Sequence, residues 1–174
     1  VLTGAGTINE DSPSMNVRLK KIVSSKAFDQ PKRYVFSKDL ALDWNAPFFN
    51  LPGQKVVVTS KRSLPKSAKN IKNLSLLHCK SKGRFLDPKN FIEKISKFQI
   101  NNILLESGPN LLGSFGDSNL IDEFIFYISP DKLGSQAEYF YKGEYKINFF
   151  DNEQFDIVEE TQVGKDKKIV FRKK

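Results

Sequence analysis

Cysteine and histidine are scarce in this sequence of 174 residues, which contains one residue of each kind. A single cysteine excludes an intramolecular disulfide, and one cysteine with one histidine cannot supply the ligands of a Cys/His zinc cage. A metal site made only of carboxylates is not excluded by this count. No stretch approaches the ~20 apolar residues that a membrane-spanning helix needs, and the first residues do not form a signal-peptide pattern. We therefore expect a globular cytoplasmic protein.

The composition is that of a folded chain. Apolar residues make up 39% of the sequence and charged residues 28%, and 15 phenylalanines supply bulk for a core. The length predicts a single domain.

Basic residues exceed acidic ones by 28 to 20, which gives a formal net charge of +8. Such a surface attracts polyanions, phosphorylated metabolites or a phosphorylated cofactor, and charge alone does not choose among them. Nucleic-acid-binding surfaces usually interleave aromatic and basic residues. Most phenylalanines here follow strand-like or helix-like apolar patterns instead, which indicates a core and argues against a nucleic-acid partner.

Apolar runs and turn signals predict an α/β protein. Strands are expected at residues 1–3, 33–37, 55–59, 74–79, 102–106 and 122–128. A helix is expected to begin at Asp87-Pro88 and to end near Gln99, and a second begins at Gly108-Pro109. This alternation favours parallel crossovers. Residues 155–162 and 167–172 predict an antiparallel hairpin that closes the sheet, while residues 9–13 and 45–53 are predicted to be loops.

The junction at residues 106–114 leaves a strand and enters a helix. Gly108 allows close approach of a ligand, Pro109 presets the first helical φ, and the unpaired N–H groups of the first turn suit a pyrophosphate. The pattern is neither the G-x-G-x-x-G fingerprint nor a P-loop. Taken alone, it is equally consistent with an ordinary tight turn.

Three charged residues are candidates for a site. Glu106 stands at the carboxyl end of its predicted strand, where ligands bind in α/β sheets, although a solvated carboxylate is the alternative. Asp11 lies in the predicted loop after the first strand, where an Asx turn is the alternative role. Arg18 could bind a phosphate or lie on the surface. His78 and Cys79 are interpreted as strand residues, because no nucleophilic partner is visible nearby.

Two separated motifs carry a resemblance to a known family. The first is T-x-x-x-D-x-P-x-x-x-x-R within V-L-T-G-A-G-T-I-N-E-D-S-P-S-M-N-V-R (1–18), and the second is E-x-G-P-x-L-x-G within N-I-L-L-E-S-G-P-N-L-L-G-S-F (102–115). Together with L-I-D-E-F-I-F-Y-I-S-P-D-K-L-G (120–134) and the closing hairpin, they resemble the riboflavin-biosynthesis pyrimidine reductases. Those proteins often form the C-terminal half of a bifunctional deaminase–reductase.

The resemblance implies a dihydrofolate-reductase-like fold: a mixed sheet, mostly parallel with an antiparallel C-terminal hairpin, and helices on both faces. It implies reduction of 5-amino-6-(5-phosphoribosylamino)uracil by NADPH, in which the ribose opens and its C1′ accepts a hydride to give the ribitylamino product. The implied partners are this phosphorylated pyrimidine and a second copy of the chain in a homodimer.

The resemblance also assigns roles to individual residues. Thr7 and Asp11 would contact the nicotinamide half of NADPH, with Asp11 as the catalytic acid/base or orienting carboxylate. Met15, Arg18 and Glu106 would bind the substrate, with Arg18 on its phosphate. The pyrophosphate would lie against Gly108, Pro109, Asn110, Leu111, Leu112, Gly113 and Ser114.

Two further cofactor contacts are assigned more loosely. Ser37 or Lys38 would take the place of a strand-end serine that contacts the cofactor in the family. Lys61 or Arg62 would meet the 2′-phosphate of NADPH, on charge and strand-end position alone.

The sequence departs from the family at its start. Family members have a further strand and helix, with a Ser-Leu-Asp-Gly-type motif and a Ser-x-x-Trp segment, before the residues that match Val1. We therefore expect residues 1–174 to be a single reductase domain that lacks its first strand and helix. The deaminase zinc signature, H-x-E with P-C-x-x-C, cannot be written with one His and one Cys, so deamination and a metal are not expected of this stretch.

The sequence leaves two alternatives open. One is another pterin- or dihydrofolate-type reductase of the same fold, against which the D-x-P and E-x-G-P motifs argue. The other, from a different class, is a basic nucleic-acid-binding module, which would bind oligonucleotides with a steep dependence on salt.

Overall fold

A computed structural model describes residues 1–19, 29–144 and 154–174. The strands are β1 (Leu2–Gly4), β2 (Arg33–Phe36), β3 (Lys55–Thr59), β4 (Leu74–His78), β5 (Ser81–Lys82), β6 (Phe85–Leu86), β7 (Glu123–Ile128), β8 (Phe155–Val163) and β9 (Asp166–Lys173). The helices are α1 (Ala5–Asp11), α2 (Pro47–Asn50), α3 (Pro88–Ile95) and α4 (Pro109–Asp117), with a 3₁₀ turn at Lys66–Ala68. Within the described ranges, no helix combines the length and apolar character required to cross a bilayer.

The main sheet is parallel and has the order β1-β2-β3-β4. Every residue of β2 and β3 is buried, which explains why these segments are nearly continuous apolar runs rather than alternating ones. The strands predicted at 33–37, 55–59 and 74–79 are therefore confirmed.

Helices cover both faces of this sheet, as expected. On one face, Phe91 of α3 and Phe115 of α4 pack with Phe36, and the Phe36 and Phe91 ring centroids lie 4.9 Å apart in an edge-to-face pair. On the other face, Ile8 of α1 and Phe48 of α2 pack with Val35 and Val57. Side chains therefore alternate between two apolar layers along each buried strand.

Helix α3 begins as predicted, because the Asp87 side chain accepts a hydrogen bond from the Lys89 backbone N–H (3.0 Å). It ends at Ile95, earlier than the predicted end near Gln99. The Ser96 hydroxyl donates to the Glu93 carbonyl (2.9 Å), and a turn bond from the Phe98 N–H to the Ile95 carbonyl (2.9 Å) follows.

The loop predictions after β1 and around α2 were wrong. Residues 5–11 form α1, although Gly6, Asn9 and Asp11 are weak helix formers. Tertiary contacts stabilise the helix instead. Ile8 is fully buried against the sheet, and the Asn9 side chain accepts a hydrogen bond from the Asp43 N–H (2.9 Å). The predicted loop at 45–53 likewise contains α2.

The strand predicted at 102–106 is reduced to a single parallel bridge between Leu105 and Leu2. The Leu2 N–H donates to the Leu104 carbonyl (2.8 Å), and the Glu106 N–H donates to the Leu2 carbonyl (2.9 Å). Within the described residues this segment pairs on one side only, which leaves Leu104 exposed. The short pairing still fixes Glu106 beside the end of β1.

The C-terminal strands form a separate antiparallel sheet with the order β7-β9-β8. The predicted hairpin is confirmed as β8 and β9, but it pairs with β7 rather than closing the parallel sheet. A parallel position for β7 was also wrong, because β7 runs antiparallel to β9. Phe124, Phe155 and Phe171 give this sheet its own apolar cluster.

Cys79 follows β4 and is fully buried, with its thiol within hydrogen-bond distance of the Asp87 carbonyl (3.3 Å). Burial, followed by the nearby Asp87 charge, raises the pKa of the thiol, so little thiolate forms at neutral pH.

We expect iodoacetamide to label Cys79 only after denaturation, as measured by intact mass. A Ser81→Cys variant, with an exposed second thiol, should take one label when native and two when unfolded. Rapid labelling of the native wild type would contradict this assignment.

Candidate active site

A cavity of about 740 Å³ opens at the carboxyl end of the parallel sheet. Its walls are the end of β1 with α1, the end of β2, the β5–β6 hairpin, the start of α4 and the segment near Lys142. The size lies within the ~300–1,000 Å³ that is usual for small-molecule pockets. Segments distant in the sequence therefore meet at the edge where ligands bind in α/β sheets.

The start of α4 supplies donors to this cavity. Gly108 is the N-cap and has no side chain to satisfy the first turn, so the N–H groups of Asn110 and Leu111 lack the helical partners that later residues have. A Cβ placed on Gly108 would meet no atom within 4 Å, so there is open space above the helix end. Free amides, the helix dipole and this space together fit a pyrophosphate group.

Two predicted carboxylates line the same cavity. Asp11 is the last residue of α1 and is exposed, and its carboxylate makes no hydrogen bond or ion pair with any residue in 1–19, 29–144 or 154–174. A carboxylate at the C-terminal end of a helix is opposed by the helix dipole, so Asp11 is poorly placed to stabilise α1. Glu106 also lines the cavity, because the hydrogen bond from its N–H to the Leu2 carbonyl holds it beside the end of β1. Among the described residues, no three Asp, Glu, His or Cys side chains are grouped to hold a metal.

The loop after α1 carries Met15 into the cavity wall. Met15 has a φ of 49°, a left-handed conformation that is uncommon for a residue with a side chain. The buried Arg33 guanidinium holds this loop by donating to the Ser14 carbonyl (2.9 Å), and it also donates to the carbonyls of Leu51 (2.9 Å) and Pro52 (2.8 Å). The buried Arg33 side chain thus fixes the position of the loop that carries Met15.

Among the described residues, three cations line the cavity, namely Lys38, Arg84 and Lys142. The sequence suggested only Lys38. Lys142 lies beside the start of α4, because its N–H donates to the Pro109 carbonyl (3.1 Å), and its ammonium pairs with Glu138 (3.0 Å). No residue spacing connects these cations with the two motifs. Only the fold brings them to the cavity.

The segment 138–144, here called the strap, lies directly on α4. A Cβ on Gly113 would come within 2.5 Å of the Lys142 carbonyl oxygen, and a Cβ on Gly116 within 2.5 Å of the Tyr141 hydroxyl oxygen. The Asp117 carboxylate accepts hydrogen bonds from the Tyr141 hydroxyl (3.0 Å) and the Glu144 N–H (2.9 Å). The two glycines therefore form the surface on which the strap is seated.

Not every predicted site residue lines the cavity. Those that do are Thr7, Asp11, Met15, Lys38, Glu106, Gly108, Pro109, Asn110 and Leu111. On α4, Leu112 packs toward the phenylalanines of the antiparallel sheet, Gly113 lies under the strap, and the Ser114 hydroxyl donates to the Leu111 carbonyl (2.8 Å).

The remaining predicted contacts also lie outside the lining. Ser37 is buried, and its N–H continues the ladder to the Val58 carbonyl (2.9 Å). Arg18 is exposed, away from the cavity lining. Of the two candidates for the 2′-phosphate, Lys61 forms an exposed pair with Asp39 (3.3 Å), and Arg62 is likewise not among the lining residues.

Comparison with known proteins gives concordant results. The model of the family described as "RibD C-terminal domain" matches residues 1–167. The riboflavin biosynthesis protein RibD of Buchnera aphidicola subsp. Baizongia pistaciae is 30% identical over 99% of this chain and 48% of its own length. A protein of Buchnera aphidicola subsp. Acyrthosiphon pisum named 5-amino-6-(5-phosphoribosylamino)uracil reductase is 27% identical over 100% of this chain and 86% of its own length. The chain thus spans about half of some relatives and most of others.

Solved structures agree on the fold. Acinetobacter baumannii RibD superposes with a TM-score of 0.77 at 22% identity, covering 99% of this chain and 46% of that one. The Saccharomyces cerevisiae riboflavin biosynthesis reductase Rib7 superposes with a TM-score of 0.71 at 15% identity. The match covers 99% of this chain and 74% of that one. The dihydrofolate-reductase-like architecture is confirmed by these likenesses. With a family match that covers nearly all of its residues, the chain belongs to the RibD C-terminal domain family.

Proposed function

We propose that residues 1–174 act as an NADPH-dependent 5-amino-6-(5-phosphoribosylamino)uracil reductase unit. The observation that carries the proposal is the meeting of Asp11 and Glu106 with the uncapped start of α4 around one cavity. A relative that spans a similar length carries the name of this reductase. The alternative of a nucleic-acid-binding module is not favoured, because phenylalanines such as Phe36, Phe91 and Phe115 lie in the core instead of on a basic surface.

The binding groups suit two phosphorylated ligands. The amides of Asn110 and Leu111 would hold the pyrophosphate. Lys142, whose backbone N–H donates to the Pro109 carbonyl and whose ammonium pairs with Glu138, also lines the cavity. Glu106 would accept hydrogen bonds from N–H groups of the pyrimidine. Binding both ligands in one cavity aligns the reacting atoms, which is the main contribution that a protein makes to hydride transfer.

The reaction also requires a proton, which a side chain of this protein has to deliver. When bound, NADPH supplies the hydride that forms the new C–H bond at C1′. The C1′–O4′ bond of the ribose breaks, and the released O4′ gains a proton. We assign that proton, or the orientation of the group that carries it, to Asp11, whose carboxylate is exposed to the cavity and has no partner in the described parts of the chain.

The proposal is tested with the purified chain, NADPH and the phosphoribosylaminouracil. We expect nucleotide-dependent quenching of the fluorescence of Trp44, consumption of NADPH, and a product heavier by one hydride and one proton in mass spectrometry. Dihydrofolate in place of the pyrimidine, and an oligonucleotide in place of NADPH, test the two alternatives. Turnover of dihydrofolate alone, or salt-sensitive binding of the oligonucleotide without NADPH binding, would contradict the proposal.

We also propose a cytoplasmic homodimer. The antiparallel sheet exposes Ile125, Tyr127 and Ile157, an apolar set that a second copy would cover. A free, buried thiol at Cys79 is compatible with a reducing compartment. Sedimentation equilibrium that gives the mass of one chain at micromolar concentration would contradict the dimer.

A further inference from the structure

The β5–β6 hairpin forms one wall of the cavity and is held firmly at its base. Lys82 pairs with Phe85 across a turn made of Gly83 and Arg84, in which Gly83 has a φ of 60°. At the base, the Asp87 N–H donates to the Lys80 carbonyl (2.8 Å), and Leu86 is buried in the core. Such a short turn on an anchored base presents Arg84 at its tip.

A second cation comes to the same tip from the end of β2. The Lys38 ammonium donates a hydrogen bond to the Gly83 carbonyl (3.1 Å). Both Lys38 and Arg84 line the cavity, so this bond joins two walls that lie far apart in the sequence. It brings two positive charges to one end of the cavity.

Arg84, like Lys38, is not paired with a carboxylate in the described residues, whereas other cations in this region are. Lys142 pairs with Glu138, and Lys61, outside the lining, pairs with Asp39. The Arg84 guanidinium has no carboxylate partner among residues 1–19, 29–144 and 154–174. An exposed guanidinium that faces a cavity with its donors free is suited to bidentate binding of a phosphate.

The strand order separates this end of the cavity from the α4 end. Residue Leu105, just before α4, pairs with β1, whereas the hairpin follows β4 on the far side of the sheet. A pyrophosphate at the start of α4 would therefore leave Arg84 and Lys38 to meet another part of the dinucleotide. The Phe85 ring, 49% exposed and part of the cavity wall, is placed beside Arg84 to stack on a nucleobase.

We propose that Arg84, with Lys38 holding its turn, binds the phosphate on the adenosine ribose of NADPH and so sets the preference for NADPH over NADH. This inference rests on the proposed function, because it concerns the cofactor of that reaction. It assigns the 2′-phosphate to the hairpin instead of to Lys61 or Arg62, which lie outside the cavity lining.

The test compares the Kd of NADPH with the Kd of NADH, by fluorescence titration, in wild type and in Arg84→Ala. A charge-assisted bidentate contact predicts that Arg84→Ala weakens NADPH binding by about 10- to 100-fold, while the Kd of NADH changes by less than about twofold. Arg84→Lys keeps the positive charge but loses the forked pair of N–H donors. Its Kd for NADPH should therefore lie between the values of wild type and Arg84→Ala. Circular dichroism is expected to be unchanged, because Arg84 is exposed at a turn.

Lys82→Ala is the matched control, since it removes a cation from the same hairpin at a position outside the cavity lining. It should leave both Kd values unchanged. Arg62→Ala tests the competing assignment, and a selective loss of NADPH binding there with none in Arg84→Ala would overturn the inference. A wild type that binds neither nucleotide refutes the proposed function itself. A wild type that binds both equally, or an Arg84→Ala variant that keeps the wild-type ratio, refutes only the role of Arg84.

Discussion

Replacing Asp11 by alanine is expected to lower kcat by at least about 100-fold, the lower end of what a positioned acid or base contributes. The free energy of unfolding should change by less than about 0.5 kcal/mol, as for most surface substitutions. The reason is that the Asp11 side chain is exposed to the cavity and has no partner within the described ranges. Rapid-quench measurement of NADPH oxidation, together with urea denaturation, gives both quantities.

Asp11→Asn separates the two roles that a carboxylate has here. Asparagine keeps the shape and a hydrogen-bonding oxygen but cannot carry the proton that O4′ gains. If Asn is as inactive as Ala, Asp11 handles the proton, and if Asn restores turnover, Asp11 only orients. Asp39→Asn, at an exposed carboxylate outside the cavity lining, should keep full activity. Undiminished turnover in both Asp11 variants would remove Asp11 from the reaction.

Gly113→Ala is expected to destabilise the protein by about 1–3 kcal/mol, although alanine is the better helix former. The new Cβ would lie 2.5 Å from the Lys142 carbonyl oxygen and 2.6 Å from its carbon. These are backbone atoms, so no side-chain rotation relieves the contact, and the strap has to lift from α4. The bond from the Lys142 N–H to the Pro109 carbonyl would then be lost, this wall of the cavity would shift, and nucleotide affinity should fall as well.

Gly6→Ala is the matched control for stability, because it makes the same change within helix α1. A Cβ at Gly6 meets no atom within 4 Å, so this variant should be as stable as wild type or up to about 1 kcal/mol more stable. The comparison by urea denaturation removes the contribution of helix propensity. Equal stability of Gly113→Ala and Gly6→Ala would mean that the strap is not seated on α4.

The parts of the fold that were predictable are those whose local pattern and tertiary environment agree. The runs at β2 and β3 are apolar throughout because both of their faces are covered, and Asp87-Pro88 caps α3 by a local hydrogen bond. Helix α1 was missed for the opposite reason. Its residues favour turns, and only the burial of Ile8 and the Asn9–Asp43 bond make it helical.

Some residues of the candidate site were likewise predictable from the sequence, and others were not. Asp11, Glu106 and Gly108 belong to motifs, and the fold brings them together. The run 108–114 does not act as a unit, because a helix turns ~100° per residue and only its first turn faces the cavity. Arg84 and Lys142 were not predictable, since each comes from a segment whose position depends on long-range contacts such as Lys38–Gly83 and Lys142–Pro109.

The Arg33 guanidinium has a consequence for how this family's sequences can diverge. One buried group holds the Ser14 carbonyl next to Met15 and, at the same time, the carbonyls of Leu51 and Pro52. An insertion or deletion near residues 51–52 would therefore be transmitted to the pocket through a shared anchor, without touching any ligand. The lengths of these two loops should be inherited together, so that chimaeras exchanging one loop without the other lose substrate affinity while retaining the sheet.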